Sequence, residues 1–296
     1  MNPNYGRGIH SVNEADASLF DDPTERILAL FRREDYRPPL LPKVALEVNA
    51  LIKRPNVGME EIIELISTDP MIAASMLHRA ASPMYKTKVA PRSLKDACMR
   101  LGLKEIQNLV WIVAMESTLF RSKRYGEVMN SVKDHSIKVA RACQFLSDQT
   151  QYPSDHLFLC GLLHDMGTAA ALAIVDSPKL KDLDDLSADL LASAIDSAHE
   201  HAGGAVCKAW ELSDEIRWIV EHHHCPRMDG RINPLAAIVT IADDLVRGEG
   251  FGIPLLDNAD YTPQEEVHQS WHGLGISNDV RAALEKQIRA KVADWE

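Results

Sequence analysis

Apolar residues recur along most of this chain at spacings of three and four, and no stretch of useful length alternates apolar with polar. That period belongs to helices with one buried face. The spacing predicts helices over 24–33, 44–52, 59–67, 71–78, 94–101, 104–120, 132–146, 155–163, 190–210, 216–224, 235–246 and 277–295. The segment 168–175 either continues its predecessor or starts a new helix. Punctuation agrees with these limits. Arg37-Pro38-Pro39-Leu40-Leu41-Pro42 cannot continue a helix, because proline lacks the N–H and clashes with the preceding turn. Asp69-Pro70 is an N-cap followed by a proline in the first helical position, and Ser213-Asp214-Glu215 and Pro234 open later helices in the same manner. Gly102 and the Gly248-Glu249-Gly250 string end others. The fold class expected is all-α.

The polar, basic stretch 121–126 interrupts two strongly apolar helices, so a subdomain boundary is placed there. Four regions follow: a lead-in with a short helix (1–36), an N-terminal helical subdomain (37–126), a second helical bundle (127–250), and a C-terminal loop and helix (251–296). The stretch 178–189 is acidic and polar, a solvated loop or helix face. The tail helix either packs on the core or serves another chain.

Composition narrows the function. Hydrophobic residues make up 46% of 296, enough for a sizeable core. The net charge of −11 disfavours direct DNA binding and membrane-surface binding, which need basic surface. No uninterrupted apolar run reaches membrane-spanning length, and residues 1–22 lack the apolar core of a signal peptide. The five cysteines form no CxxC pair, and four sit in apolar helical surroundings. These features predict a cytoplasmic protein.

The candidate chemistry lies in histidine and aspartate. Gly161-Leu162-Leu163-His164-Asp165-Met166-Gly167 places an adjacent His-Asp pair after an apolar run. His135, His201, His222-His223-His224 and Asp243 lie on other predicted helices. His135, His164, Asp165 and Asp243 form a candidate site for one ion. Asp165 is the natural bridge to a second ion, or to a phosphate, held by His201 with His223 or His224. Mixed imidazole and carboxylate donors suit iron, manganese, zinc or nickel, and magnesium least. Two such ions can hold a bridging hydroxide and steady a phosphoryl group, which would make Asp165 the catalytic residue of an active enzyme. Cys225, beside the histidines, is the one cysteine placed to ligate. His78, His156, His199, His268 and His272 read as surface or hydrogen-bonded core residues.

The chain resembles the HDOD family, output domains related to metal-dependent hydrolases, over roughly 40–246. The N-terminal half carries Leu41-Pro42, Asp69-Pro70, Ala81-Ser82 and Leu101-Gly102-Leu103, with Ala81 where Asn is usual. The C-terminal half carries the Gly161–Gly167 string, His201 with Gly204, Trp210, His223-His224-Cys225-Pro226 and Ala242-Asp243. The resemblance implies an N-terminal helical subdomain on an HD-type bundle. It also implies that His135, His164, Asp165 and Asp243 are core ligands. Family members are generally regarded as regulatory, so it implies a bacterial signal-transduction module whose partners are signalling proteins or a small phosphorylated ligand. Relatives that hydrolyse cyclic dinucleotides carry a Lys soon after the His-Asp pair and a Gly-Tyr-Pro string. Here Thr168 follows Gly167 and no Tyr-Pro follows Gly230, so the phosphate-gripping cation is missing at that place; Arg227 and Arg231 are the candidate substitutes. The alternative reading, a metal-dependent phosphohydrolase for a nucleotide or other phosphate ester, requires a basic residue near the ions.

Overall fold

The computed structural model describes residues 21–85, 90–154, 156–177, 180, 186–256 and 264–295. The predicted lead-in at 1–20 and most of the acidic stretch at 178–189 lie outside the described residues. The helices are α1 (Pro23–Phe31), α2 (Lys43–Ile52), α3 (Met59–Ser67), α4 (Pro70–Ala80), α5 (Leu94–Thr118), α6 (Gly126–Gln149), α7 (Leu157–Leu163), α8 (Met166–Val175), α9 (Ala188–Ala209), α10 (Asp214–Glu221), α11 (Pro234–Gly248), α12 (Gln264–Gly273) and α13 (Asn278–Arg289). The strands described, β1 (Arg227–Met228) and β2 (Arg231–Ile232), form one small antiparallel hairpin. Asp229 and Gly230 turn it, both at positive φ, the conformation a tight hairpin needs. The chain folds as an all-α protein.

The caps read from the sequence are built as the chemistry requires. Asp69 Oδ1 accepts from the backbone N–H of Met71 at 2.9 Å and of Ile72 at 3.1 Å, with Pro70 at the first helical position. Asn233 Oδ1 does the same for Leu235 and Ala236 ahead of Pro234. Gly102 (φ 75°) breaks α5 into the two predicted segments.

One continuous apolar core runs through the molecule. In the N-terminal part, α2, α3 and α4 pack on α5. In the C-terminal part, α8 is almost wholly buried, flanked by α9, α6 and α7. The lead-in helix α1 packs on α8 and α9, so it belongs to the bundle rather than to the N-terminal helices. The tail helix α13 packs on α6 and α11, and the Lys138 ammonium donates to the Trp295 carbonyl at 2.8 Å, anchoring the tail to the core. A buried ion pair ties the two halves. Arg141 of α6 makes a two-pronged contact with Glu105 of α5, each prong 2.7 Å, and Tyr85 donates to the same carboxylate. The stretch Leu157–Val175 is long and apolar enough to cross a membrane by length and composition, but 89% of it is buried inside the fold.

Two glycines set the helix spacing that matters for function. A Cβ at Gly161 would sit 2.8 Å from the Ala140 Cα, so α7 lies directly on α6. A Cβ at Gly167 would sit 1.8 Å from the His199 carbonyl oxygen and 2.6 Å from the Gly203 nitrogen. Glycine there lets the backbones of α8 and α9 touch.

Candidate metal centre

Five elements deliver the site. His135 lies midway along α6, and His164-Asp165 occupy the sharp turn between α7 and α8. His199 comes from α9, His223-His224 follow α10, and Asp243 is in α11. The side chains of His135, His164, Asp165, His199, His223 and Asp243 are 0–4% exposed. Thr240 of α11 donates to the His223 carbonyl at 2.5 Å and so pins the end of α10 to the helix that carries Asp243.

Four of the inward-facing imidazoles are fixed by their outer nitrogens. Nδ1 of His135 donates to the Phe251 carbonyl at 2.8 Å, that of His164 to Gly161 at 2.8 Å, and that of His223 to Val220 at 2.9 Å. His199 Nδ1 donates to the Asp196 carbonyl. A backbone carbonyl can only accept, so Nδ1 carries the hydrogen and Nε2 faces inward, presenting its lone pair whenever the ring is neutral. This is the outer-shell arrangement that orients histidines for metals. The Nε2 atoms meet in pairs: His135 and His164 at 3.2 Å, His199 and His223 at 3.3 Å, His224 and His199 at 3.1 Å.

The Asp165 carboxylate divides between two groups. Its Oδ2 lies 3.4 Å from Nε2 of both His135 and His164. Its Oδ1 lies 3.6 Å from His199 Nε2 and 3.5 Å from His223 Nε2. Asp243 Oδ1 joins the first group, 3.0 Å from His135 and 3.8 Å from His164. Two donor clusters result, His135–His164–Asp165 and Asp165–His199–His223–His224, with the donor atoms of each within 4.8 Å of one another. Buried Asp165 Oδ1 and Asp243 Oδ2 have no hydrogen-bond partner. Facing lone pairs and orphaned buried carboxylate oxygens are costly without a cation between them, so the residues fit one or two divalent ions.

Electrostatics say the same. Burial would lower the His164 imidazole, but the Asp165 charge and hydrogen bonds to Asp165 and Asp243 push it up to about 10. Burial would raise both carboxyls. The His164 charge and the surrounding imidazoles hold Asp165 well below the usual range, and Arg247 with His135 and His164 does so for Asp243. Burial and the neighbouring His223 and His199 rings push His224 well down, which keeps it a neutral donor. In the ion-free site, protons and Arg247 balance the carboxylates. A metal would displace those protons.

Of the residues expected from the sequence, His135, His164, Asp165, Asp243, His223 and His224 converge. His201 does not, and this is a correction: it is exposed on α9, and His199, which the sequence presents as a bland residue, takes the inward place. Two residues along a helix turn the side chain by about 200°, to the opposite face. His222 also points away, stacked on Trp218 at 4.5 Å. Arg227 is paired with Glu266 and Gln269 on the hairpin instead of serving the centre. The cation that sequence reasoning missed is Arg247, one turn after Asp243. Its Nε donates to Asp243 Oδ1 at 2.7 Å and its Nη2 to Asp165 Oδ2 at 3.1 Å.

An HD-type helical bundle with an N-terminal helical subdomain and a buried His/Asp cluster defines the class of protein. Residues 39–226 match the HDOD domain family, and the chain belongs to it. The chain is similar to an uncharacterised protein of Treponema pallidum, 25% identical over 263 residues; the match covers 85% of this chain and 47% of that protein, so the chain spans about half the relative's length. Among solved structures it is similar to a Shewanella amazonensis protein provisionally named a metal-dependent phosphohydrolase (TM-score 0.63, 23% identity, 91% of this chain and 99% of the other). It is also similar to a Marinobacter aquaeolei protein provisionally named a signal transduction protein (0.67, 20%, 97% and 66%). A third is an HDOD domain protein of unknown function from Geobacter sulfurreducens (0.61, 22%, 90% and 97%). At these identities the structural matches establish the fold.

Proposed function

We propose that this chain is a signal-transduction output module holding a centre for two divalent ions, and that it signals by coupling that centre to the seam between its halves. The observation that carries this reading is the course of two short helices. Both α7 and α10 begin at the wall of a cleft of about 670 Å³ whose opposite wall is α2 and α5. Phe158, Leu159 and Ile216 face the cleft from one side, and Asn49, Gln107 and Trp111 from the other. The far end of α7 carries His164-Asp165, and the far end of α10 carries His223-His224. Each helix is about 10–12 Å long. A shift at the seam therefore moves four ligands, and loading the centre pulls on the seam. The partners in this reading are signalling proteins or a small phosphorylated ligand. The five free thiols support a reducing, cytoplasmic setting.

A second reading, hydrolysis of a nucleotide or other phosphate ester, is favoured by Arg247. It supplies beside Asp165 and Asp243 the positive charge that a phosphohydrolase needs and that the sequence lacks after Gly167. His135, His164, Asp165 and Asp243 would hold one ion and Asp165, His199, His223 and His224 the other. Bound there, such ions lower the pKa of a water and stabilise phosphoryl charge.

Metal content of protein purified without chelator, beside His164→Ala and Asp243→Ala, tests the common ground. Two equivalents after reloading, with one lost in both variants, support the centre; absence of metal even after reloading overturns both readings. Hydrogen exchange at residues 46–53 and 107–111 then separates them. Protection that changes on loading, with no turnover of a phosphate-ester panel, supports signalling. Turnover that disappears in both variants supports the hydrolase.

A further inference from the structure

We infer that Arg247 is a built-in competitor for one of the two ions, so that the centre loads in two unequal steps. The inference rests on the cluster binding divalent ions. The guanidinium bonds Asp243 Oδ1 and Asp165 Oδ2, the same two oxygens that face His135 and His164. The opposite oxygen of Asp165, Oδ1, faces His199 and His223 and has no hydrogen-bond partner, and neither has Asp243 Oδ2. One donor group is thus already neutralised by an internal cation, and the other is preformed and waiting.

The chemistry sets the order. A divalent ion entering between His135, His164, Asp165 and Asp243 finds the two oxygens nearest those imidazoles already bonded to Arg247 and only Asp243 Oδ2 unclaimed, and it binds beside a fixed positive charge in a buried, weakly screened site. The guanidinium cannot shed its charge to make room, because arginine stays protonated in proteins. An ion entering between His199, His223, His224 and Asp165 Oδ1 meets no such rival. The His199 group fills first and tightly. The His135 group fills second and weakly, and as it fills it turns the Arg247 side chain off the carboxylates. With its 11% exposure, Arg247 lies at the edge of the site, where the released guanidinium is placed to receive an anion.

The test is Mn(II) titration of the chelator-stripped full chain, reading free Mn(II) by electron paramagnetic resonance, with thermal unfolding in excess chelator alongside. Wild type is expected to show a tight step and a weak step. Arg247→Met should tighten the weak step by about tenfold or more, because it removes both charge-assisted contacts of the competitor, to Asp243 Oδ1 and Asp165 Oδ2, and should lower the metal-free Tm. Arg247→Lys, a single point charge without the fork, should fall between. His199→Ala should remove the tight step. If Arg247→Met leaves the weak step unchanged or weakens it, Arg247 supports the ligands and the inference is overturned. If Arg247→Met does not fold without metal, the weak step of Arg247→Lys decides by the same criterion. A wild type that binds no Mn(II) and no Zn(II) refutes the centre itself, a different failure from an Arg247 variant that matches the parent.

Discussion

Gly167→Ala is the sharpest test of how the fold makes the site. The added Cβ would lie 1.8 Å from the His199 carbonyl oxygen, 2.6 Å from the Gly203 nitrogen and 2.7 Å from the His199 carbonyl carbon. All three are backbone atoms, so no side chain can swing away. Ordinary contact begins near 3.4 Å, and α9 must therefore retreat from α8 by more than an ångström or the turn at His164-Asp165 must deform. Overpacking of this kind costs about 1–3 kcal/mol and occasionally more, and here the atoms that must yield are backbone. For a domain of this size about 1 kcal/mol corresponds to roughly 2–4 °C in Tm, so a fall of several degrees is expected. The displaced residue is His199 itself, and so one equivalent of bound metal should be lost together with the stability. Gly248→Ala, where a Cβ meets nothing within 4 Å, is the control and should be neutral or slightly stabilising. Thermal melts and metal analysis on the three proteins decide the matter. Gly167→Ala that melts with wild type and keeps its full metal complement would refute the argument that this glycine sets the α8–α9 distance.

Three further outcomes follow from the same geometry. His199→Ala should lose one equivalent of bound metal while His201→Ala keeps both, as read by metal analysis; the reverse pattern would restore the ligand set expected from the sequence. In the metal-free protein the His164 proton is held up to about pH 10 rather than the ordinary 6.5, so the stability it contributes is complete below pH 6.5 and is lost as the pH rises to about 10. Denaturant melts in chelator at pH 6, 8 and 10 should show that decline in the parent and not in His164→Gln, and identical profiles would remove the pairing of His164 with Asp165 as its cause. Glu105→Ala should cost about 3–5 kcal/mol, because it leaves the Arg141 guanidinium buried, 4% exposed, without its carboxylate; a chemical-denaturation difference under about 1 kcal/mol would mean that water has reached the pair.

The elements were legible because helix period and caps are local. Asp69-Pro70, Gly102 and Asn233-Pro234 each act within one turn, so reading them needs no knowledge of the neighbours. The core ligands were legible for another reason: the His164-Asp165 pair and Asp243 are polar residues in the middle of apolar runs, and a polar residue on a buried face calls for a partner, whereas His135, set among Lys133, Asp134, Ser136 and Lys138, was legible only through the family-like ligand pattern. His199 obeys the same rule, although its signal is masked. It follows Ile195 by one turn and precedes Gly203 by one turn, on the face that carries Leu191, Ala198, Ala202 and Val206 into the core. His201 shares its face with Ser193, Ser197 and Lys208, all exposed. The family-like pairing of His201 with Gly204 competes with the periodicity that already places His199 inward.

Arg247 was illegible for a different physical reason. At the end of an apolar helix an arginine reads as a C-terminal charge favourable to the helix dipole, and that local account is complete without any site. Its role appears only when α11 is laid against the turn at Asp165, eighty-two residues away in sequence, because the guanidinium reaches one ligand on its own helix and one on another. The charge balance then becomes a property of the assembled centre and not of any segment. Two buried carboxylates are matched, without metal, by Arg247 and by the proton on His164. Replacing that proton and that contact with two divalent ions leaves positive charge in excess, so a loaded centre must take up an anion, either hydroxide or a phosphate group. The same inward ligands and the same counter-ion therefore lead to both functional readings, and what divides them is whether the anion that arrives is cleaved or merely held.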